Sequence, residues 1–254
     1  MARNRHRIPV KSKAEIVKMR RAGYLTAKAL QIIADEARAG ITTIELDSCI
    51  AEFVIANNAI PAFYDYHGYP ANACISVNEE VIHGIPGKRI LQNGDIVSID
   101  FGVIIDGYYG DAARTIRIGA VPEDKERLVK ITEQSFFEAC KILKAGIRVG
   151  DVSYTIQSFC ESNGYGVVRE YVGHGIGSNL HEPPQIPNFG KPGTGPIIPA
   201  GATVAIEPMV TMGDYNVRVL DDGWTVVTSD GLPSAHYENT VLVTENGCEI
   251  LTKI

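Results

Sequence analysis

The sequence predicts an α+β fold of two similar halves, with helices covering one face of a curved, mainly antiparallel sheet. Three observations predict it: two pairs of amphipathic helices, β-rich runs after each pair, and a constant register relating the two sets.

Over residues 14–38, Ile16, Met19, Gly23, Thr26, Leu30 and Ile33 recur three and four apart, one face of a long helix with small residues at its middle. Ala39-Gly40 stops it, and Thr42 followed three residues later by Glu45 has the form of a capping box. The helix so opened carries Leu46, Ile50, Phe53 and Val54 and ends near Asn57-Asn58. The pattern then returns. Leu128, Ile131, Ser135 and Ile142 mark a helix that stops at Ala145-Gly146, and Val152, Ile156 and Phe159 mark the next, ending near Asn163-Gly164. Ala39, Gly40, Ile41, Ile50, Phe53 and Asn57 reappear as Ala145, Gly146, Ile147, Ile156, Phe159 and Asn163, each 106 positions later, six identities in 19 positions. Matching helices alone would not align the punctuation as well, so the register indicates an internal duplication.

The strands follow the same spacing. Residues 94–100 form a β-rich run ending in Asp100, and residues 201–207 form one ending in Glu207, 107 positions on. Asp111 and Glu238 then each open a further strand, over residues 111–116 and 238–243. No Pro- or Ser-rich linker separates the repeats. Residues 14–254 therefore read as one domain with halves of approximately 14–120 and 121–254, behind a basic N-terminal arm, residues 1–13.

The 254 residues are 45% hydrophobic and 21% charged, with a formal net charge of −6. That balance excludes intrinsic disorder. The net acidity argues against a dedicated DNA or RNA binder, and no run of 18 apolar residues exists to span a membrane. The arm holds Arg3, Arg5, Arg7, Lys11 and Lys13 without the apolar stretch of a secretory signal. It is expected to be solvated, the sharper alternative being a transient ribosome contact through acidic RNA. Five cysteines, an odd number without a Cys-x-x-Cys pair, indicate reduced thiols and a cytoplasmic protein rather than a disulfide framework or thiolate zinc site.

Burying one carboxylate at a strand end is costly and is usually met by an ion pair. Four such acids, two per repeat, call instead for a multivalent cation between them. The glycines of Gly173-His174-Gly175-Ile176-Gly177 are expected to leave His174 unscreened beside a site; a dinucleotide loop is rejected, because the spacing differs and no helix follows. Asp100, Asp111, His174, Glu207 and Glu238 thus make an oxygen-rich set with one imidazole. It suits two divalent first-row ions roughly 3.5–4 Å apart with a bridging water, hence hydrolysis by a bridging hydroxide, and does not suit structural zinc. His83, in a turn-rich segment where more exposure than core is expected, and His181, seven residues after His174, are candidates to bind substrate or stabilise the transition state.

Several motifs combine here: His67-Gly68-Tyr69-Pro70, Val81-Ile82-His83-Gly84-Ile85-Pro86, Asp100-Phe101-Gly102, Gly110-Asp111, the Gly-His-Gly-Ile-Gly run, Glu207-Pro208 and Tyr237-Glu238. With these, the sequence from Ile16 to Leu251 resembles the type I methionine aminopeptidases, in their short bacterial form. The resemblance implies the pita-bread fold and metal-dependent removal of initiator methionine from nascent chains with a small second residue. It implies Asp100, Asp111, His174, Glu207 and Glu238 as ligands of Fe(II), Mn(II) or Co(II), with Asp111 and Glu238 bridging, and a monomer. It makes His83, His181 and Glu207 catalytic, with Glu207 shuttling a proton. It also implies a methionine pocket of Phe63, Tyr66, Tyr69, Cys74, Leu180 and Trp224, suited to a thioether. Leu180 stands where many relatives carry Phe, and Phe63 where several carry a smaller residue. The alternatives are an X-Pro aminopeptidase or prolidase of the same fold, which usually brings a large extra N-terminal domain, and a non-catalytic binding protein, which typically loses metal ligands.

Overall fold

The computed structural model describes residues 7–253. Helix α1 (Lys13–Glu36) and α2 (Thr43–Ala56) precede strands β1 (Ile60–Pro61), β2 (Cys74–Val77), β3 (Glu80–Ile82), β4 (Ile96–Ile105) and β5 (Tyr108–Arg117). Helices α3 (Glu123–Ile142) and α4 (Val149–Ser162) precede β6 (Gly166–Val167), β7 (Val172–Gly175), β8 (Glu182–Pro187), β9 (Thr203–Ile206), β10 (Met209–Thr211), β11 (Val217–Val219), β12 (Val226–Thr228), β13 (Ser234–His236), β14 (Asn239–Val243) and β15 (Cys248–Ile250). Every strand pairing among the described residues is antiparallel. The first half builds the order β1-β4-β2 with β5 on β4, and the second the order β15-β14-β9-β7-β8.

Each helix pair buries its apolar face on its own sheet. Leu30, Ile33, Leu46 and Ile50 meet Ile75, Val97, Ile99 and Phe101 in one core; Leu128, Phe136, Val152 and Ile156 meet Val204, Ile206, Val210 and Val241 in the other. The capping box at α2 is present as expected, with Thr42 N–H donating to Glu45 Oε2 at 2.8 Å and Glu45 N–H to Thr42 Oγ1 at 3.4 Å. Ser12 and Glu15 form another at α1, where none was foreseen. The small residues in the middle of α1 have a specific cause: a Cβ on Gly23 would lie 2.5 Å from Leu251 O, and one on Gly110 would lie 2.7 Å from the backbone of Ala22 and Gly23. Helix and strand β5 touch backbone to backbone there, one residue before Asp111.

The halves meet along a seam between β5 and residues 236–240. Ala113 and Glu238 exchange backbone hydrogen bonds of 3.3 and 3.0 Å. On either side a threonine hydroxyl replaces the ladder. Thr240 Oγ1 accepts from Asp111 N–H at 3.0 Å and donates to Asp111 O at 2.9 Å, while Thr115 Oγ1 accepts from His236 N–H and donates to His236 O, both at 2.9 Å.

Some expectations need correction. Strand β4 does not end at Asp100 but continues to Ile105, because Phe101 to Ile105 is itself a β-forming, largely buried run. Asp111 lies inside β5 rather than opening it. Of the basic arm, residues 1–6 fall outside the described residues; Ile8 belongs to the second-half core and Lys11 is buried, its Nζ 2.6 Å from Glu182 Oε2. The chain is part of the folded body from Ile8 onward.

Candidate active site

The seam and the sheets bring the five predicted ligands together. Asp100 sits in β4 opposite Ala113, Asp111 in β5 opposite Gly102, Glu207 directly after β9, Glu238 directly before β14, and His174 in β7 opposite Ala205. Asp111, Glu238 and His174 are buried; one ligating atom from each of these three falls within 4.8 Å of the others. His174 Nε2 is 3.7 Å from Asp111 Oδ2 and 3.6 Å from Glu207 Oε1.

The tautomer of His174 decides what this proximity means. Its Nδ1 lies 2.9 Å from Gly175 O, a carbonyl that only accepts, so Nδ1 carries the proton and Nε2 presents a lone pair to the carboxylate oxygens. Lone pair facing lone pairs in a buried site is repulsive unless a cation lies between. The carboxylates agree. Asp100 Oδ1, Asp111 Oδ1 and Glu238 Oε1 are buried with no hydrogen-bond partner among the described residues. Burial pushes the Asp100 carboxyl up to about 7, and pushes Asp111, Glu207 and Glu238 well above the usual range, assisted by one another's charge. Burial takes His174 down to about 3 and His83 to about 4, so both rings are neutral near pH 7. This donor set fits divalent first-row cations.

The glycines around His174 serve a different purpose from the one expected. Cβ atoms on Gly173, Gly175 and Gly177 would lie 2.5 Å from Ala205 O, 2.2 Å from Pro183 O and 2.4 Å from Lys11 Cε. They make room for the neighbouring chain, not for a ligand.

A cavity of about 240 Å³ opens onto these acids. Phe63, Tyr66, Tyr69, Cys74, Leu180 and Trp224 all line it, together with His83, His181 and, unforeseen, His67. The Tyr69 hydroxyl shares its one proton between Ala73 O at 3.1 Å and Gly84 O at 3.0 Å, and its ring meets Trp224 edge-on at 5.1 Å. His181 packs on His174 at 4.3 Å between ring centroids and has Nδ1 2.6 Å from Tyr66 Oη. His83, half-buried at left-handed φ 58°, stands edge-on to Tyr171 and Trp224. A wider groove of about 1030 Å³ leads away from His83, His174, His181 and Glu207 along β8.

One buried histidine escaped the sequence reasoning. His236, in β13, has neither ring nitrogen hydrogen-bonded among the described residues, and its Nε2 is 3.8 Å from Glu207 Oε2. It lies two residues before Glu238, next to the Tyr-Glu pair, but no spacing rule distinguishes it from a strand residue.

Residues 17–245 match the model of metallopeptidase family M24. The chain is 52% identical to a methionine aminopeptidase of Clostridium perfringens, over 97% of this chain and 99% of that protein. It superposes on a crystal structure of the methionine aminopeptidase of Thermotoga maritima with a TM-score of 0.96 at 48% identity, covering 98% of this chain and all of the other. A prolidase of Pyrococcus furiosus shares the architecture less closely: TM-score 0.80, 25% identity, and only 65% of its length covered.

Proposed function

This chain belongs to metallopeptidase family M24, in its methionine aminopeptidase branch, and on that premise we propose how its own residues remove an N-terminal methionine. It is a metal-dependent exopeptidase acting on peptides that begin with Met. The observation that carries the residue assignment is the lone pair of His174 Nε2 aimed at the Asp111 and Glu207 oxygens, beside an aromatic cavity lined by Cys74.

In this proposal Asp100, Asp111, His174, Glu207 and Glu238 would hold two divalent cations. Such cations supply an attacking water of lowered pKa and polarise the scissile carbonyl. The methionine side chain fills the cavity between Phe63, Tyr66, Tyr69, Cys74, Leu180 and Trp224, where rings and sulfur suit a thioether. Glu207 takes the proton of the water and passes it to the leaving amine. With Tyr66 donating to Nδ1, His181 keeps its proton on Nε2 and donates to the developing oxyanion. His83, neutral and held by Tyr171 and Trp224, binds the substrate amide. The preferred substrates are nascent chains with a small second residue, the protein acts as a monomer, and Fe(II), Mn(II) or Co(II) serves as cofactor. Five free cysteines support a reducing, cytoplasmic setting. A transient ribosome contact would rest on residues 2–7, almost all outside the described residues; their deletion should weaken ribosome co-sedimentation.

The decisive experiment is mass-spectrometric cleavage of Met-Ala-Ser, Met-Pro-Gly, Ala-Ala-Ser and Ala-Pro-Gly by chelated protein, before and after anaerobic Fe(II), Mn(II) or Co(II). Metal-dependent loss of Met alone is expected. Release of Ala from Ala-Pro-Gly would move the specificity to the proline-directed relatives, and no cleavage with metal bound would leave a binding role.

A further inference from the structure

We infer that His236 is a positioning residue for Glu207: its ring N–H holds Glu207 Oε2, so that Oε1 alone is left facing the cation site. The inference rests on the ligand assignment proposed above. A neutral imidazole has one N–H and one lone pair, and leaving such groups unpaired in the interior forfeits the hydrogen bonds they made to water. His236 is 1% exposed and both of its nitrogens lack a partner among the described residues, so the ring is kept at a standing cost unless something engages it.

Glu207 lies between two imidazoles that differ in what they offer. On the Oε1 side, 3.6 Å away, His174 Nε2 has only a lone pair, since its proton is committed to Gly175 O. Oε1 and that lone pair are therefore reconciled by a cation. On the Oε2 side, 3.8 Å away, His236 Nε2 has no competing bond and is free to carry the proton. Closing that gap to hydrogen-bond length takes a movement of about 0.9 Å, within reach of a carboxylate rotation as it seats on a cation. The scaffold on both sides is already fixed. Asn188 Nδ2 donates to Glu207 O at 2.9 Å, and Thr115 Oγ1 grips both the N–H and the O of His236 at 2.9 Å. With the backbone anchored at both residues, the closing movement falls to the two side chains. One oxygen then faces the metal and the water while the other is tethered, which keeps Glu207 from swinging as it carries the proton.

The test compares the parent with His236→Gln, which keeps an N–H donor, and His236→Leu, which has none. Each is titrated with Mn(II) by calorimetry and assayed on Met-Ala-Ser, and the Mn(II)-loaded parent is crystallised. The Leu variant should bind Mn(II) about 10-fold more weakly and lose ~10–100-fold in kcat with KM little changed; Gln should restore most of both. The loaded parent should show Nε2 to Oε2 at about 2.7–3.2 Å. Parent-like Mn(II) affinity and kcat in the Leu variant, Gln no better than Leu, or a separation beyond about 3.5 Å in the loaded parent would overturn it. If His236→Leu does not fold, the Gln variant's affinity and the loaded distance decide. A parent that neither binds Mn(II) nor releases Met would instead remove the ligand assignment itself, and His236's role with it.

Discussion

The two halves agree most closely in their connections and least in their chemistry. Gly40 N–H donates to Leu91 O at 2.8 Å and Gly146 N–H to Ile198 O at 2.9 Å; Leu91 N–H returns to Ile41 O and Ile198 N–H to Ile147 O, both at 2.9 Å. Asn57 and Asn163 end α2 and α4 with near-identical backbone angles, their amides donating to Phe53 O at 2.8 Å and Phe159 O at 2.9 Å. Function lies where this agreement stops. Ser98 and Ala205 are 107 positions apart, like Asp100 and Glu207. Ser76 pairs with Ser98, whereas His174 pairs with Ala205. At the same register, one half has a serine whose hydroxyl holds Gly84 N–H at 3.1 Å, beside His83, and the other has a histidine aimed at the acids. The acids are not strict counterparts either: Asp111 lies opposite Gly102, two residues beyond Asp100, while Glu207 and Glu238 continue the Ile206–Asn239 pairing directly. Turns and helix C-termini keep the duplicated frame, whereas His174, Asp111 and Glu238 stand where the other half has no matching residue in the pairing.

If the site needs both halves equally, neutralising one acid from each should cost the same large factor. Asp100→Asn and Glu207→Gln are each expected to lower kcat/KM on Met-Ala-Ser by at least ~10³-fold, about 4 kcal/mol. Metal content is measured in parallel. Either variant retaining a tenth of parental activity with full metal occupancy would show that one half suffices.

The next largest effect concerns a contact without a counterpart in the repeat. Lys11, ahead of α1 in sequence, packs into the second half against Glu182, and both side chains are almost fully buried. Lys11→Met leaves that carboxylate without its cation and should cost roughly 3–5 kcal/mol, seen as a Tm drop of about 6–15 °C. Lys11→Met with Glu182→Leu should recover part of the loss. A single variant as stable as the parent would mean that Glu182 is served by Asn179 N–H and Ser178 alone.

These contacts show what sequence can and cannot disclose. The buried faces of α1 to α4, the stop at Gly40 and Gly146 and the Thr42–Glu45 box are local, set by spacing within a turn or two. The acids were legible because burying several carboxylates needs a cause. Lys11 looked like a solvated charge because its partner is 171 residues away. His236 was hidden because its significance depends on a seam between the halves, and the pocket of Phe63, Tyr66 and Trp224 had no local pattern and emerged only through family likeness.

Conformation alone can be compared at Gly40 and Gly146, where φ is 94° and 88° and an added Cβ would meet nothing within 4 Å. Gly40→Ala and Gly146→Ala should each cost about 1–2 kcal/mol from backbone strain, as read by urea unfolding. Costs differing by more than ~1 kcal/mol would show that the turns share a shape without sharing its energetic role.

The smallest effect is expected at the helix N-termini, where the halves use different chemistry. Thr42 offers a hydroxyl to Glu45 N–H, whereas Arg148 caps α4 with no acceptor of its own, and only Asp151 Oδ2 reaches back to Arg148 N–H at 3.1 Å. Thr42→Ala removes an N-cap and should cost about 1 kcal/mol. Arg148→Thr supplies the missing acceptor while losing an exposed Arg148 bond to Gly195 O. The first change is worth about 1 kcal/mol and the second a few tenths, so the variant should be about 0.5 kcal/mol more stable than the parent. Urea midpoints of the pair resolve this at unchanged m-value. A destabilised Arg148→Thr would mean that the Arg148–Gly195 bond, which ties α4 to the loop before β9, outweighs a cap, and the second half would then hold its helix by that loop rather than by its N-terminal residue.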